Sequence, residues 1–575
     1  MTVRTARWAF VMAGGLFAAC SRASTSPAPA TAPVSAKPDA ALPAELPLKY
    51  APRPTSPAVS AADLMTRLYI FADDSMEGRQ FGERGNVKGT DYIERELRRI
   101  GLEPAGENGT FFQALPTHRR SFDPATRFGP AGGALTPWTD FAAFDLGPGA
   151  RSLEGVQVVY GGVWGDSTRL APASAGAGKL IVLSTSSAQW NLPRAQILAR
   201  FPEAVGFALA TLDRVPAQVV DFLRQPGLRV GAPDSTPVPV HVWITPAAAE
   251  RLLGVPLASA RPGAAGVTLA GGVRYRTETP QFPARNVVAV LRGSDPVLRH
   301  QYVAIGAHND HIGTAGQAVD HDSLRAYNTV MRPLGADDPE GRPNAEQQAR
   351  ITAILDSLRR LRPARLDSIG NGADDDGSGS VAILEMAEAL ASAREKPKRS
   401  ILFIWHTGEE AGLLGAKHFA DNPTVPRDSI VTTLNIDMIG RGTAADVPGG
   451  GPTYLQLIGS RRLSRELGDL VETVNTAKGH GFRFDYQFDA NGHPGQYYCR
   501  SDHYEYARYG IPVTFFSTGS HRDYHMVTDE PQYIDYAHLA LVTRLIHDIA
   551  VEVANLDHRP ALSAPKPDPN GECIQ

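Results

Sequence analysis

The chain has 575 residues, with 57 Lys and Arg against 61 Asp and Glu, and a formal net charge of −4. This length suffices for two or more domains, and the balanced charge gives no support to a nucleic-acid partner or an acidic lipid surface. Three cysteines are too few for a disulfide-rich scaffold or a zinc site built from thiolates.

The N-terminal segment is typical of an exported protein. Two arginines precede an apolar run at residues 8–19, which is too short to span a bilayer but suits a signal peptide. Residues 16–20 resemble a bacterial lipoprotein cleavage site, in which Cys20 becomes the lipidated N-terminus. A plain secretory signal with an incidental cysteine is the alternative. We therefore predict a signal peptide at residues 1–20 and a location in the bacterial envelope, lipid-anchored and facing the periplasm, or secreted.

The next forty residues, 21–60, are dominated by Ala, Pro, Ser and Thr. Such a segment cannot bury enough apolar surface to offset its ordering entropy, so it is predicted to be a flexible tether. Globular sequence starts near residue 61, where apolar residues at helical spacing predict two helices, the second ending at Gly101.

A change in composition and residue pattern indicates a second domain at residues 140–282. Short β-type runs at 156–160, 179–183 and 238–244 are separated there by Gly, Pro and Ala. We predict a β-rich domain inserted into a larger one that comprises residues 61–139 and 283–558. A tail at residues 559–575 completes the chain.

Strand and helix patterns alternate in the larger domain. Strands are predicted at residues 286–291, 302–306, 401–405, 431–436 and 512–516, and helices near 380–393, 411–419, 463–473 and 537–554. The run 401–405 is apolar on both faces, which is typical of a buried parallel strand. The alternation predicts an α/β fold with a mostly parallel central sheet and helices on both of its faces.

Histidines and carboxylates follow these strands where they end. The candidates are His308, Asp310, His311, Asp374, Asp375, Asp376, Glu409, Glu410, Asp437, His503, His521 and His525. Because the carboxyl ends of parallel strands meet at one edge, we expect most of these side chains to lie together. Imidazole and carboxylate donors without thiolates suit a catalytic zinc site.

Other interpretations of these residues are weaker. Glu409 and Glu410 alone would indicate a solvated acidic turn. The run 377–382 fits a permissive dinucleotide-binding pattern, but no strand directly precedes it. Gly372 occupies the position of the first ligand in a calcium-loop alignment, which excludes that motif. The chain also lacks the His-Glu-x-x-His and Gly-x-Ser-x-Gly motifs of other hydrolases.

Taken in order, the motifs at residues 61–130 and 283–555 closely resemble the co-catalytic di-zinc exopeptidase family, which includes secreted bacterial aminopeptidases, glutamate carboxypeptidases and glutaminyl cyclases. The resemblance implies two Zn²⁺ ions held by His308, Asp375, Glu410, Asp437 and His525. Asp375 would bridge both ions, and its bond to Asp376 would be cis. The inserted segment resembles a protease-associated domain.

The resemblance assigns three further residues. Glu409 is implied to be the general base, Asp310 to orient His308, and Tyr498 to steady the developing oxyanion. His311 and His503 are expected to have supporting or structural roles. A long insertion between His308 and Asp375, which includes an amphipathic helix at 344–361, departs from the plain family pattern and is expected to cover the site.

The activity implied is that of a zinc-dependent exopeptidase acting on peptides, first of all an aminopeptidase. A carboxypeptidase or a cyclase on the same fold is the enzymatic alternative, and an inactive peptide-binding lipoprotein is the non-enzymatic one. Membrane contact is expected only through the lipid anchor. If the chain is exported, Cys499 and Cys573 lie in a compartment where disulfides persist, and they can then either pair or stay free.

Overall fold

The computed structural model describes residues 46–144, 151–231 and 238–575. The predicted signal peptide, Cys20 and most of the tether lie outside this range. The described chain divides into two units. Unit 1 consists of residues up to Gln80, Lys88–Phe112 and Val287–Gln575, and unit 2 of Phe81–Val87 and Gln113–Asn286.

The helices and strands are as follows. The α-helices are α1 (Ala61–Phe71), α2 (Arg84–Ile100), α3 (Arg194–Arg200), α4 (Ala217–Arg224), α5 (Pro246–Leu253), α6 (His321–Met331), α7 (Ala345–Leu361), α8 (Gly379–Ser392), α9 (Leu414–Asp421), α10 (Arg465–Ala477), α11 (His503–Ala507) and α12 (Tyr536–Asn555). The strands are β1 (Glu103–Pro104), β2 (Phe112–Ala114), β3 (Thr117–Phe122), β4 (Arg127–Pro130), β5 (Phe141–Ala143), β6 (Gln157–Trp164), β7 (Leu180–Thr185), β8 (Gly206–Ala210), β9 (Gly227–Val230), β10 (Val240–Ile244), β11 (Ala265–Gly272), β12 (Tyr275–Glu278), β13 (Arg285–Leu291), β14 (Tyr302–His308), β15 (Thr314–Asp320), β16 (Leu366–Ile369), β17 (Ser400–His406), β18 (Ile430–Ile436), β19 (Tyr454–Ile458), β20 (Arg483–Asp485) and β21 (Val513–Ser517).

The main sheet of unit 1 runs in the order β1-β13-β17-β14-β18-β21-β19-β20. Its four central strands, β17, β14, β18 and β21, are parallel, which confirms the predicted α/β fold. The parallel order predicted for β13 is wrong, because β13 pairs antiparallel with β17. Its apolar sequence marks it as buried, but burial alone does not specify strand direction.

Both faces of this sheet are covered. On β17, Ile401, Phe403 and Trp405 lie in one hydrophobic cluster, which includes residues of α1, α8 and α12. Leu402 and Ile404 lie in a second cluster on the other face, which includes residues of α11. Successive strand residues point to opposite faces, so an apolar run on β17 is what two covered faces require.

The helix predicted to start at Ala411 begins later, at Leu414. Gly412 and Leu413 have positive φ angles of 104° and 60°, and their amides donate to the Glu409 carbonyl at 2.8 and 3.0 Å. A tight turn thus separates β17 from α9. Leu413 is not a glycine, and such residues seldom adopt positive φ. The spacing of the apolar residues therefore did not predict this turn.

Unit 2 has a sheet of its own, ordered β4-β11-β6-β7-β8-β10-β5. Strands β6, β7, β8 and β10 are parallel, and a second sheet pairs β12, β3 and β9. Because β3 and β4 pair with β12 and β11, the longer segment of the unit starts at Gln113 rather than at the predicted residue 140.

Residues 46–60, predicted to belong to the flexible tether, are instead part of unit 1 and contact its other residues. The ring of Tyr50 is 5.5 Å from that of Tyr69, and the Thr55 hydroxyl donates to the Glu388 carboxylate at 2.7 Å. Residues 46–60 form no helix or strand, and these two side chains fasten the irregular segment. No helix within the described ranges is both long enough and apolar enough to cross a bilayer.

The C-terminal tail is fastened by a disulfide. Cys499 and Cys573 are bonded, with Cα atoms 5.9 Å apart, so of the two possibilities left open by the sequence the disulfide is the one observed. Close by, the Gln575 side chain accepts a hydrogen bond from the Tyr498 amide at 3.0 Å. The tail is therefore held against the segment around residue 498.

Candidate metal centre and active site

The candidate residues converge at one edge of the sheet in unit 1. Strands β14, β17 and β18 end at His308, His406 and Ile436, and most candidates lie at or just after these ends. Strands β17 and β18 flank β14 on opposite sides. The strand order therefore reverses at β14, and ligands of α/β proteins bind beyond the carboxyl ends of strands at such a point.

Asp375 lies between two histidines. Its Oδ1 atom is 3.0 Å from His308 Nε2, and its Oδ2 atom is 3.0 Å from His525 Nε2. Each oxygen therefore has its own imidazole neighbour, as a carboxylate that bridges two cations requires. The bond from Asp375 to Asp376 is cis, as the family resemblance implied.

The donor atoms form two groups that share Asp375. Asp437 Oδ1 is 3.6 Å from His308 Nε2, and Glu410 Oε2 is 2.8 Å from His525 Nε2. Ligands of one tetrahedral zinc stand about 3.3 Å apart, given zinc–ligand distances of about 2.0–2.1 Å. His308 Nε2, Asp375 Oδ2 and Asp437 Oδ1 are buried without a hydrogen-bond partner among the described residues. Buried polar atoms normally have partners, so this donor set is suited to binding metal.

Two neighbouring aspartates hold the backbone that presents Asp375. Asp529 Oδ2 accepts hydrogen bonds from the amides of Asp374 and Asp375 at 3.0 and 3.1 Å. Asp376 also lies near His308 and Asp437, but its oxygens accept from the amides of His308 and Gly379. Asp376 is therefore a backbone clamp rather than a ligand.

Asp310 contacts His308 through its backbone carbonyl group. The Asp310 carbonyl oxygen is 3.1 Å from His308 Nδ1, whereas its carboxylate is 3.7 Å away, beyond hydrogen-bond distance. The carboxylate instead accepts from the Glu409 amide at 3.2 Å. Asp310 thus links His308 to the turn that carries the two glutamates.

Glu409 and Glu410 differ in their surroundings. Burial raises the pKa of the Glu409 carboxyl well above its ordinary value, and Asp437 adds to the rise while His308 opposes it. Burial and Asp375 would also raise the pKa of Glu410, but His525 and His311 hold it below its ordinary value. Environments that separate the pKa values of neighbouring carboxyls are typical of acid–base pairs with different tasks.

His311 lies closer to the centre than its expected supporting role suggested. Its Nδ1 atom is 2.7 Å from Glu410 Oε1, and its ring centroid is 5.7 Å from that of His525. It belongs to one of the described groups able to hold a metal, with Asp375 and Glu410. Its position three residues after His308, in the turn that follows β14, was the available signal.

Residues 286–550 match the sequence profile of Peptidase family M28. This part of the chain belongs to peptidase family M28. The resemblance seen in the motifs is thereby confirmed, and residues 286–550 are called the M28 domain below. Their bounds include all five proposed ligands.

Several curated proteins resemble parts of the chain. Leupeptin-inactivating enzyme 1 of Streptomyces exfoliatus is 30% identical over 205 residues, which are 32% of this chain and 41% of that protein. An aminopeptidase of Pseudomonas aeruginosa (strain UCBPP-PA14) is 46% identical over 80 residues, 13% of this chain and 15% of that protein. Leucine aminopeptidase 1 of Ajellomyces capsulatus (strain H88) is 30% identical over 219 residues, 36% of this chain and 53% of that protein. The chain thus spans about half or less of these relatives' length.

Solved structures that are similar to this chain include an aminopeptidase from Aneurinibacillus sp. strain AM-1. It is 16% identical, with a TM-score of 0.45, over 88% of this chain and 97% of that one. A zinc aminopeptidase from Bacillus subtilis has the same identity and TM-score over 87% of this chain and 96% of that one.

Tyr498 of the M28 domain does not reach the site. Its side chain is 7% exposed, lies in a hydrophobic cluster and stacks under Arg462, whose guanidinium carbon is 4.6 Å from the ring centroid. The prediction that Tyr498 contacts the oxyanion is therefore wrong. Tyr497 lines the cavity instead, because neighbouring residues of the short turn Tyr497–Cys499 point in different directions.

A cavity opens beside the candidate metal centre of the M28 domain. Its lining residues are Asp375, Glu409, Asp437, Met438, Gln456, Ile458, Tyr497, Arg500, Ser501, Phe515, Ser517, Gly519, Ser520 and Tyr524. The motifs predicted the acidic residues of this wall. They missed Tyr524 and Arg500, for which adjacency to His525 and Ser501 was the only signal.

Proposed function

We propose that this chain is a zinc-dependent exopeptidase that removes N-terminal residues from peptides. The observation that carries the proposal is the position of Asp375, with one oxygen toward each of two histidines, in a cavity that also contains Glu409. This arrangement provides for two adjacent cations and a base beside them.

Two Zn²⁺ ions would be held by five side chains of the M28 domain. One ion would take His308 and Asp437, the other Glu410 and His525, and Asp375 would serve both. Although burial lowers the pKa of His525, Glu410 and Asp375 raise it to about 11, which marks a position that favours positive charge. When bound, the ions supply Lewis acidity and lower the pKa of water in the cavity.

Glu409 carries the proton that hydrolysis must move. Its carboxylate accepts a proton from the attacking water and delivers it to the nitrogen of the leaving amine. A raised pKa suits this exchange, since a carboxyl group that holds a proton near neutral pH can also return it.

Tyr524 is placed to donate a hydrogen bond to the substrate. Burial and the nearby Asp375 raise the pKa of its phenol well above 10, so the hydroxyl stays protonated. Its ring centroid is 4.0 Å from that of His525, which holds it at the cavity wall. A fixed O–H beside the reacting carbonyl stabilises the charge that develops on the oxygen.

Matched peptides with free and acetylated N-termini test this proposal. We expect the zinc-loaded protein to shorten only the free peptides, from the N-terminus, and to contain two zinc ions per chain. Loss of C-terminal residues would indicate a carboxypeptidase, and cyclisation of N-terminal Gln would indicate a cyclase. Binding without cleavage would support an inactive peptide-binding protein.

We further propose export and lipid anchoring through Cys20, with unit 2 as a protease-associated domain. The signal-like run at residues 8–19 and the cleavage-site pattern support the anchor. In a bacterial host, wild-type protein should incorporate labelled palmitate and sediment with membranes, whereas Cys20→Ser should do neither. Label on the Cys20→Ser variant would contradict the assignment.

A further inference from the structure

Arg500 stands on the wall of the cavity that contains Asp375, Glu409 and Asp437. It is the only cationic side chain among the described residues that line this cavity. The other charged lining residues are those three carboxylates, and Met438, Ile458 and Phe515 supply apolar surface. The cavity is therefore acidic at the metal centre and basic at Arg500.

Only part of the Arg500 guanidinium is used within the protein. Nη2 donates to Asp337 Oδ1 at 3.0 Å and lies 3.4 Å from the Tyr524 hydroxyl oxygen. Within the described ranges neither Nε nor Nη1 of Arg500 has a hydrogen-bond partner, and 38% of the side chain is exposed. An arginine has five N–H donors, so the three N–H groups on Nε and Nη1 are available to a ligand.

The contacts that Arg500 does make hold it in position. Asp337 is itself bound by the Ser520 hydroxyl, and the guanidinium carbon of Arg500 lies 5.3 Å from the centroid of the Tyr497 ring. The adjacent Cys499 is tied down by its disulfide. A side chain ordered before binding loses less conformational entropy when a ligand arrives.

We propose that Arg500 binds a carboxylate group of the substrate and thereby determines which peptides are preferred. This inference rests on the proposed peptidase function. A guanidinium N–H donates a strong, charge-assisted hydrogen bond to a carboxylate oxygen, and the N–H groups of Arg500 Nε and Nη1 are placed to do so. The carboxylate is either the side chain of an N-terminal Asp or Glu or the C-terminal carboxylate of a very short peptide.

The competing explanation is that Arg500 only clamps the turn at Asp337 to the rest of unit 1. A clamp would affect stability and all substrates alike. Recognition of a carboxylate affects acidic ligands selectively. The two explanations are therefore separated by ratios between matched ligands rather than by activity alone.

Binding to the zinc-loaded protein tests the proposal without requiring turnover. Calorimetric titrations would compare L-glutamate with L-glutamine, and the dipeptide Leu-Gly with its C-terminal amide, on Glu409→Gln protein with and without Arg500→Leu. We expect Arg500→Leu to reduce the preference for the acidic member of one pair by roughly 10- to 100-fold, the size typical of losing a charged hydrogen-bond partner. A change in the first pair identifies the side chain, and a change in the second identifies the C-terminal carboxylate.

Arg461→Leu is the matched control, because Arg461 also pairs with an aspartate, is 40% exposed and does not line the cavity. It should alter neither ratio. Arg500→Lys should retain part of the preference. Unchanged ratios in Arg500→Leu, or equal changes in Arg461→Leu, would overturn the inference. If zinc-loaded wild-type protein cleaved no peptide with a free N-terminus, the proposed activity would be refuted. The binding ratios measured on the Glu409→Gln protein would still decide the role of Arg500.

Discussion

The two units of this protein are built alike but bury different groups. Each has parallel strands at the centre of its sheet and a core of aliphatic side chains. Among the described residues, unit 2 buries no Asp or Glu side chain. Unit 1 buries many, and a large share of them lie near the strand ends: Asp310, Asp374, Asp375, Asp376, Asp437, Asp502 and Asp529.

This difference has an energetic meaning. Burying an unpaired carboxylate is strongly unfavourable, and a fold retains such groups where positive charge or hydrogen bonds offset the cost. The backbone amides that bind Asp376 and Asp529 offset part of it. The remaining donors require cations, so the stability of unit 1 should depend on metal and that of unit 2 should not.

Removal of metal should therefore separate the two units most clearly. After treatment with a chelator, unit 1 should lose roughly 4 kcal/mol of unfolding free energy for each ion held at a thousandfold excess over its Kd. Calorimetry or hydrogen exchange should show unit 2 unchanged, and peptide cleavage should cease. Equal destabilisation of both units would break the comparison.

Glu409→Gln should remove the chemistry while leaving both units intact. Removing a general base typically lowers kcat by ~10²–10⁴, and amide and carboxylate have nearly the same shape. Zinc content and Tm should stay close to those of the wild type.

Glu410→Gln is the matched variant for that experiment. It replaces a charged ligand by a neutral one, so the protein should lose close to one zinc per chain and part of the stability of unit 1. If Glu409→Gln were the variant that sheds zinc, the assignment of the two glutamates would be reversed.

The disulfide should support unit 1 alone. Because Cys499 and Cys573 are 74 residues apart, replacing both by Ser should lower the unfolding free energy of unit 1 by about 4 kcal/mol, the loop-closure estimate for that length. Urea unfolding followed by probes in each unit would measure this. Two reactive thiols in unfolded, unreduced mature protein would show that the bridge does not form.

A smaller effect should appear in unit 2 as the pH falls. Burial, with Arg194 adding to it, lowers the pKa of His241 to about 3, and the ring packs between Phe207 and Trp243 with centroids 4.5 Å from each. The unfolded state binds a proton near pH 6.5 and the folded state only near pH 3. The contribution of neutral His241 to the unfolding free energy is therefore fully present above pH 6.5 and is lost as the pH falls towards 3, by about 2.7 kcal/mol at pH 4.5.

His241→Phe is the control for this prediction. The variant should lack this part of the pH dependence in unit 2, while acid sensitivity arising in unit 1 should persist. If wild type and His241→Phe lost stability in parallel between pH 7 and pH 4.5, His241 would not be the titrating group.

The sequence predicted those features that depend on chain order and residue type. The strands of the parallel core, the covered faces of β17 and the convergence of His308, Asp375 and Asp437 follow from apolar runs that end in polar residues. Features that depend on local dihedral angles were missed. Gln496, for example, adopts a positive φ of 46° just before the turn at Tyr497, and its residue type gave no signal for this.

Long-range pairing was the other source of error. The antiparallel direction of β13 and the early start of unit 2 are set by partners far away in the chain, which no local pattern reports. The contacts of Tyr50 and Thr55 are of the same kind. Each joins a segment without regular structure to residues that only the folded chain brings near.

The position of the disulfide also has a consequence for how the protein is made. Cys573 follows every residue proposed to hold zinc, so during synthesis the bridge cannot close until all of them have left the ribosome. The disulfide therefore forms in a chain that already contains every proposed zinc ligand. The bond cannot form while some of the proposed ligands are still unsynthesised, and it is the last step in attaching the tail to the segment around Tyr498.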